Sequence, residues 1–188
     1  MKNDLEDLSH IEICPFAKKH YDAVFAFADS LPIQDLLFLP RDTKSVENAD
    51  KWMKSMENRS IMTFLALDGA VVVGAGAIVR KLRGWSAHVA EIRILVSEGA
   101  RSKGLGRLLL KHCFAEAIEA GAEKLIGRMT ADKKGATAVF RSLGFQREAL
   151  LRRQVRDNHG VLQDLAIYSF HVERLADGNA SLGYSEIY

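Results

Sequence analysis

Apolar positions along the chain switch between a period of two and a period of about 3.6, and the switches predict an order of elements. From His10 to Phe16, Ile11 and Ile13 alternate with polar neighbours and the run stops at Pro15, which suits a first strand. Tyr21, Val24, Phe25 and Ala28 recur at helical spacing within Ala17 to Ser30, and Val46, Ala49, Trp52, Met53 and Met56 do so within Ser45 to Met56. The intervening Leu31 to Asp42 holds two prolines around a very apolar middle, a loop or broken helix that either packs under the first helix or walls a pocket. Ile61 to Leu67 and Val71 to Lys81 read as strands joined at Asp68-Gly69, a hairpin signal, and Gly74 and Gly76 mark a bulge or a close backbone approach in the second.

Arg83-Gly84 marks another turn. Ala87 to Val96 is the next strand, with Ala90, Ile92, Ile94 and Val96 on one face and Val89, Glu91, Arg93 and Leu95 on the other. A helix reaching about Ala120 buries Leu105, Leu108, Leu109, Phe114, Ala117 and Ile118 and is capped by Gly121. Lys124 to Thr130 is a strand parallel to the one before the helix, if the helix is a crossover. Gly135 to Leu143 is a short helix ended by Gly144, and Phe145 to Arg153 pairs with Val161 to His171 across an Asp157-Asn158-His159-Gly160 turn. The expectation is one mixed α/β domain over residues 10–172, with helices on both faces of its sheet, and an aperiodic tail over 173–188.

Composition narrows the chemistry. A chain of 188 residues buries a sizeable core without disulfides. Its 26 basic and 24 acidic side chains leave a formal charge of +2, which argues against nucleic acid as a polyelectrolyte partner. The polar first ten residues lack the apolar run of a signal peptide, and no apolar stretch is long enough to span a bilayer; the expectation is a cytoplasmic protein without a membrane partner. Cys14 and Cys113 are far apart and lack metal-ligand spacing, so free buried thiols and no metal site are expected.

The densest candidate chemistry lies in Ser97 to Arg107. Arg101-Ser102-Lys103-Gly104-Leu105-Gly106 reads as a strand-to-helix turn whose glycines let backbone N–H groups crowd around an anion at a helix N-terminus, with Arg101, Lys103 and Arg107 adding positive charge. The G-x-x-x-x-G-K-[ST] spacing of a P-loop is absent, and so is a three-glycine dinucleotide fingerprint. The segment resembles the [RQ]-x-x-G-x-[GA] acyl-CoA pyrophosphate loop of the GNAT superfamily of N-acyltransferases. A second stretch, Ala136 to Phe145 (ATAVFRSLGF), resembles the family's A-x-x-[LF]-Y-x-x-x-G-F pattern.

The resemblance covers roughly Ile11 to Val172 and implies a GNAT-like, largely antiparallel sheet. It implies transfer of an acyl group, with acetyl-CoA as co-substrate, to an amine of a small molecule or protein by direct attack, in a monomer or homodimer. Main-chain groups of Ile94, Leu95 and Val96 would pair with pantetheine like an added strand, and a bulge there would offer the N–H of Leu95 or Val96 to the thioester oxygen. Ser102, Lys103, Gly104, Leu105, Gly106 and Arg107 would hold the pyrophosphate, with Arg101 beside them.

The acid–base groups depart from the family pattern. Phe140 lies beside the cofactor where many relatives place a tyrosine acid, and a phenyl ring donates no proton. Lys133 stands where an asparagine is common. The base position of the ribosomal-protein acetyltransferases corresponds to Arg128, which stays protonated at neutral pH. Glu91 is the first candidate base, by likeness to histone-type relatives; its alternative is an ion pair with Arg93, two residues along on the same face. His88 is a second candidate, acting directly or through water, or else a solvent-facing histidine. Asp164, Glu148 and His159 near the closing hairpin are weaker options, and Cys113 as a nucleophile is disfavoured by its place on the apolar helix face. A non-catalytic acyl-CoA sensor or interaction module is the alternative function.

Overall fold

The computed structural model describes residues 8–32, 52, 54–157 and 159–175. Its strands are β1 (Ile11–Pro15), β2 (Ile61–Asp68), β3 (Val71–Arg80), β4 (Val89–Val96), β5 (Lys124–Thr130), β6 (Gln146–Arg156) and β7 (Leu162–His171). The α-helices with both ends among the described residues are α1 (Tyr21–Ser30), α2 (Leu105–Glu119) and α3 (Lys134–Ser142). Residues 52 and 54–57 are also helical, at the end of the second helix expected from periodicity; the rest of that helix, and the Leu31 to Asp42 segment from residue 33 on, lie outside the described residues. The first helix begins later than its apolar spacing suggests. Lys18–His20 forms a 3-10 turn, in which the Ala17 N–H donates to His20 Nδ1 at 3.0 Å, before α1 starts at Tyr21.

One seven-stranded sheet runs in the order β1-β2-β3-β4-β5-β7-β6. Every junction is antiparallel except β4 with β5, which are linked through α2. The β2–β3 hairpin turns on Gly69 at φ 59, a left-handed conformation that glycine adopts without a Cβ clash. α2 ends on Gly121 at φ 84, whose N–H donates to the Ile118 carbonyl at 2.8 Å while the Ala122 N–H donates to the Ala117 carbonyl at 3.0 Å.

α2 lies against β3 and β4 because β3 leaves room for it. A Cβ on Gly76 would sit 2.5 Å from the Cys113 sulfur, and one on Gly74 would sit 2.8 Å from Leu109 Cδ1. The close approach expected at these two glycines is therefore real, and it sinks Leu109, Leu110, Cys113 and Phe114 to 1 % exposure or less. Each large apolar side chain so buried contributes roughly 1.5–3 kcal/mol relative to exposure. Leu110 belongs to this core although the sequence pattern did not single it out, while Leu108 and Ile118 are only partly buried at its rim. On the opposite face, Phe27 and Leu31 pack with Leu65, Val72, Ala75 and Leu95 in a second cluster beside α1.

The register places the bulge elsewhere than expected. β3 and β4 pair without a break from Gly74–Val96 to Arg80–Ala90, so no bulge interrupts β4 at Leu95 or Val96. One irregularity falls between Ala66 and Leu67 of β2, opposite Val72 to Gly74, and two more interrupt the β6–β7 pair, between Arg147 and Ala149 and between Leu151 and Val155. What exposes the β4 backbone is a different device, the early end of its pairing with β5.

Candidate active site

β4 and β5 pair over three positions only, Val89–Lys124, Ala90–Leu125 and Glu91–Ile126, although β4 continues to Val96 and β5 to Thr130. Beyond Glu91 the two strands splay into a wedge. Among the described residues no strand pairs with the β5 side of β4 from Ile92 to Val96, so its main-chain donors and acceptors there are open to an extended ligand. The side chains of Ile94, Leu95 and Val96 meanwhile pack into the apolar clusters, which leaves their backbone as the part a ligand can use.

At its wide end β4 runs into the glycine turn. The Ser97 N–H closes the β3–β4 ladder on the Val73 carbonyl at 3.0 Å, Glu98–Ala100 makes one 3-10 turn, and Arg101 Nε donates to the Val96 carbonyl at 3.2 Å. Ser102 then takes φ 63 and Gly104 φ 95. A serine in the left-handed region is strained by roughly 1–3 kcal/mol, and such strain gathers where backbone amides are aimed at a ligand. Gly104 is the N-cap of α2, and no side chain caps that helix. The first N–H groups of α2 therefore point outward at the positive end of a fifteen-residue helix.

This region fits the phosphates of coenzyme A on its own geometry. Ser102 and Gly104 shape the turn, and Arg101 and Arg107 are exposed beside it. Leu105 is 1 % exposed and anchors the helix from inside, which leaves only its main chain to face a ligand. Gly106 is forced neither by its backbone angle nor by packing. A Cβ there would make ordinary contacts, 3.7 Å from Val96 Cγ2 and 3.9 Å from Val139 Cγ2, so its bareness serves an approach from outside.

The two faces of the wedge differ. On the α2 face, the Phe140 ring lies directly over Gly127, the first β5 residue past the last β4 pair; a Cβ on Gly127 would fall 2.2 Å from Phe140 Cε1. Phe140 is 5 % exposed and meets Phe145 edge-on at 5.0 Å. On the opposite face stand Glu91 at the apex, then Arg93 on β4 and Arg128 on β5, each two residues past the last paired position of its strand. Arg93 Nε donates to Glu91 Oε1 at 2.8 Å, and Arg128 Nη2 donates to Glu91 Oε2.

Both oxygens of Glu91 are thus held. Burial alone would raise its pKa, but the hydrogen bonds and charges of Arg93 and Arg128 outweigh burial and keep the carboxyl below its ordinary value. The ion pair with Arg93 that the sequence left open as one reading of Glu91 is present, and Arg128 joins it from a strand 37 residues further on. Nothing in the sequence signals that third member, because only the parallel β4–β5 register brings it within reach.

The other candidates are dispersed. His88 lies exposed in the turn before β4, at the closed end of the β4–β5 pairing, where its carbonyl accepts the Glu123 N–H at 2.9 Å. Glu148 pairs with Lys124 at 2.8 Å at that same end, and its pKa is lowered first by that hydrogen bond and next by one from Ser169. Asp164 accepts the Arg153 N–H at 2.8 Å, and His159 is exposed in the β6–β7 turn. Lys133 is the N-cap residue of α3. Cys113 is fully buried beneath Gly76, and burial pushes its thiol far above the ordinary range, which removes the thiolate that a nucleophile needs. Cys14 and Cys113 are both free. Among the described residues no three His, Cys, Asp or Glu side chains gather to hold a metal, and no helix is long and apolar enough to cross a membrane.

A separate cleft of about 380 Å³ opens on the α2 face toward the β1–β2 edge of the sheet, between Ile13, Met62 and Phe64 of the strands and His112 and Glu116 of α2. Its lining does not include any wedge residue.

Comparison with known proteins bears on the whole arrangement. Among solved structures, an N-acetyltransferase from Staphylococcus aureus Mu50 superposes with a TM-score of 0.72 at 19% identity, covering 86% of this chain and 98% of that one. A ribosomal-protein-alanine N-acetyltransferase from Brucella melitensis gives a TM-score of 0.72 at 23% identity, covering 85% and 99%. The yncA protein of Salmonella typhimurium, solved with its cofactor acetyl-CoA, gives 0.72 at 18% identity, covering 87% and 95%. At these identities the likeness is one of fold. No curated protein matches the chain by sequence. The family model described as the acetyltransferase (GNAT) family matches residues 29–145, a span that holds the splayed strands, the glycine turn and α3 together. The chain belongs to the GNAT acetyltransferase family.

Proposed function

We propose that this protein is an acetyl-CoA-dependent N-acetyltransferase that transfers the acetyl group to an amine by direct attack in a ternary complex, within a single domain spanning residues 10–172. The observation that carries this reading is the wedge that opens past Glu91–Ile126 and leads into the uncapped N-terminus of α2 at Gly104.

Acetyl-CoA supplies the activated acyl group as a thioester. The N–H groups from Ser102 to Arg107 bind its pyrophosphate, and the exposed guanidiniums of Arg101 and Arg107 add charge-assisted contacts. The open edge of β4 at Ile94, Leu95 and Val96 receives the pantetheine arm in strand-like fashion and so aims the thioester toward the apex. The main-chain N–H of Val96, which faces the open side while that of Leu95 faces β3, polarises the carbonyl and takes up charge as the amine adds.

Proton transfers in this reading run through solvent. Glu91 is too firmly paired to draw a proton from an ammonium group, and arginine does not act as a base at neutral pH. The amine reaches the wedge neutral, the form that can attack the thioester carbonyl. Phe140 shields the α2 face from water but donates no proton, so the departing thiolate, with an ordinary thiol pKa of about 8.5, is protonated by water.

The occupied state of Glu91 and the phenyl ring of Phe140 also favour a second reading, an acyl-CoA-binding module without catalysis. Release of free CoA thiol from acetyl-CoA, measured with a panel of amines, separates the two. Amine-dependent release is expected. Tight acetyl-CoA binding with release no faster than the amine-free background overturns the transferase in favour of the module.

A further inference from the structure

The two faces of the wedge converge on its apex, and neither leaves room there for a long hydrocarbon. On the α2 face the first residues past the last β4–β5 pair are Ile92 and Gly127. Ile92 is 1 % exposed and fills the gap from β4. Gly127 has no side chain to fill it from β5, and the Phe140 ring of α3 takes that place: a Cβ on Gly127 would fall 2.2 Å from Phe140 Cε1 and 2.7 Å from Cζ.

The ring has nowhere to retreat. Behind it Phe145, 2 % exposed, meets Phe140 edge-on at 5.0 Å and is itself held against Phe114 and Phe170 at 6.2 and 5.7 Å. Met129, the next β5 side chain on this face, is buried, and its sulfur accepts from Thr137 Oγ1 of α3 at 3.6 Å. A wall packed in this way takes in extra methylenes only by forcing side chains from their rotamers. The other face, the acceptor side, suits an alkyl chain no better. There the buried Glu91 holds Arg93 on one oxygen and Arg128 on the other, and a chain laid over them would strip water from charged groups without pairing them.

A thioester led toward the apex along Ile94 to Val96 therefore brings its acyl end between a full apolar wall and a charged one. Resting on the transferase reading, we infer that Phe140 limits the length of the acyl group: the protein accepts acetyl, which ends in a single methyl, and rejects butyryl and longer chains. Phe140 is then a specificity-determining residue for the acyl donor, besides keeping water from the α2 face.

The test titrates acetyl-, propionyl- and butyryl-CoA calorimetrically into the native protein, with no amine present. Affinity is expected to fall along the series, by about tenfold or more between acetyl and butyryl. With an amine that supports thiol release, kcat/KM is expected to fall in the same order. Phe140→Leu and Phe140→Ala shorten the ring and are expected to raise the butyryl-to-acetyl affinity ratio, alanine more than leucine, a shift that loosened core packing by itself does not produce. Cooperative thermal unfolding shows whether each variant folds; if neither does, the native series decides. Equal affinity of the native protein for acetyl- and butyryl-CoA, or an unmoved ratio in a folded variant, overturns the inference and leaves the transferase intact. If no amine releases thiol from any of the three, the transferase reading fails instead, and the binding series still decides the limit. Failure of acetyl-CoA itself to bind overturns both.

Discussion

The glycine-turn side of the wedge and its acceptor side are built from different material. On the first, the working groups are main-chain amides presented by Ser102, Gly104 and the start of α2, and the side chains there either point into the core, as Leu105 does, or lie at the surface. On the second, the groups presented are the charged ends of Glu91, Arg93 and Arg128, drawn from two strands. A site made of backbone asks for a local conformation, so a short motif carries it. A site made of side chains asks for positions in space, and those depend on the register of strands far apart in sequence.

The largest effect expected is on the backbone side. Gly104→Trp puts a Cβ and a bulky ring at φ 95, on the N-cap of α2, and is expected to abolish acetyl-CoA binding, a loss of at least about a hundredfold once several charge-assisted hydrogen bonds are blocked. The melting temperature of the ligand-free protein should fall by only a few degrees from backbone strain. Isothermal titration with acetyl-CoA checks this, and unchanged affinity would move the cofactor away from the turn.

Next in size is the support beneath that turn. Gly76→Ala forces a Cβ within 2.5 Å of the Cys113 sulfur, so α2 must shift or the core must repack, at a cost of about 2–3 kcal/mol. Cys113→Ala in the same chain removes the obstructing sulfur and should recover most of the loss, which denaturant melts of the single and double variants would reveal. Absence of recovery would mean that the strain lies in the β3 backbone and not at the helix contact.

The smallest effect concerns the acceptor side. Glu91→Gln leaves two guanidiniums without their carboxylate. The cost is about 1–2 kcal/mol, below that of breaking a fully buried pair, because both arginines are a third or more exposed to water. The pH dependence is the sharper readout. Since the arginines hold the folded Glu91 pKa below its unfolded value of about 4.3, its contribution is complete above that value and disappears as pH falls through the folded one. Stability profiles of native protein and variant should therefore differ most above about pH 5 and converge in acid. Parallel profiles would mean that Glu91 is not held as a charged group.

Much of the fold was legible in the chain because it follows local rules. The Asp68-Gly69 hairpin, the Gly121 and Gly144 helix ends, and the alternation that sets Ile92 and Ile94 against Glu91 and Arg93 are each decided by a few neighbouring residues. The turn from Arg101 to Gly106 was legible for the same reason. Three features were not. The 3-10 start of the first helix is set by the His20 side chain accepting from the Ala17 backbone, which an apolar count does not sense. The irregularities lie in the β2–β3 and β6–β7 pairs, whereas a smooth β4 is left open by losing its neighbour. The pairing of Arg128 with Glu91 depends on their nearness in space, which a separation of 37 positions along the chain hides.

By itself, the order of residues determined the succession of strands and helices, the close approach at Gly74 and Gly76, and an anion-seeking turn ahead of α2, since conformational preference and side-chain periodicity act over a turn or two of chain. Only the tertiary structure decided that β4 and β5 part after three pairs and that one buried carboxylate is shared by two arginines across the gap. The physical reason is that strand register and the pairing of charges are settled by packing among segments distant in the chain, where no single segment carries the information.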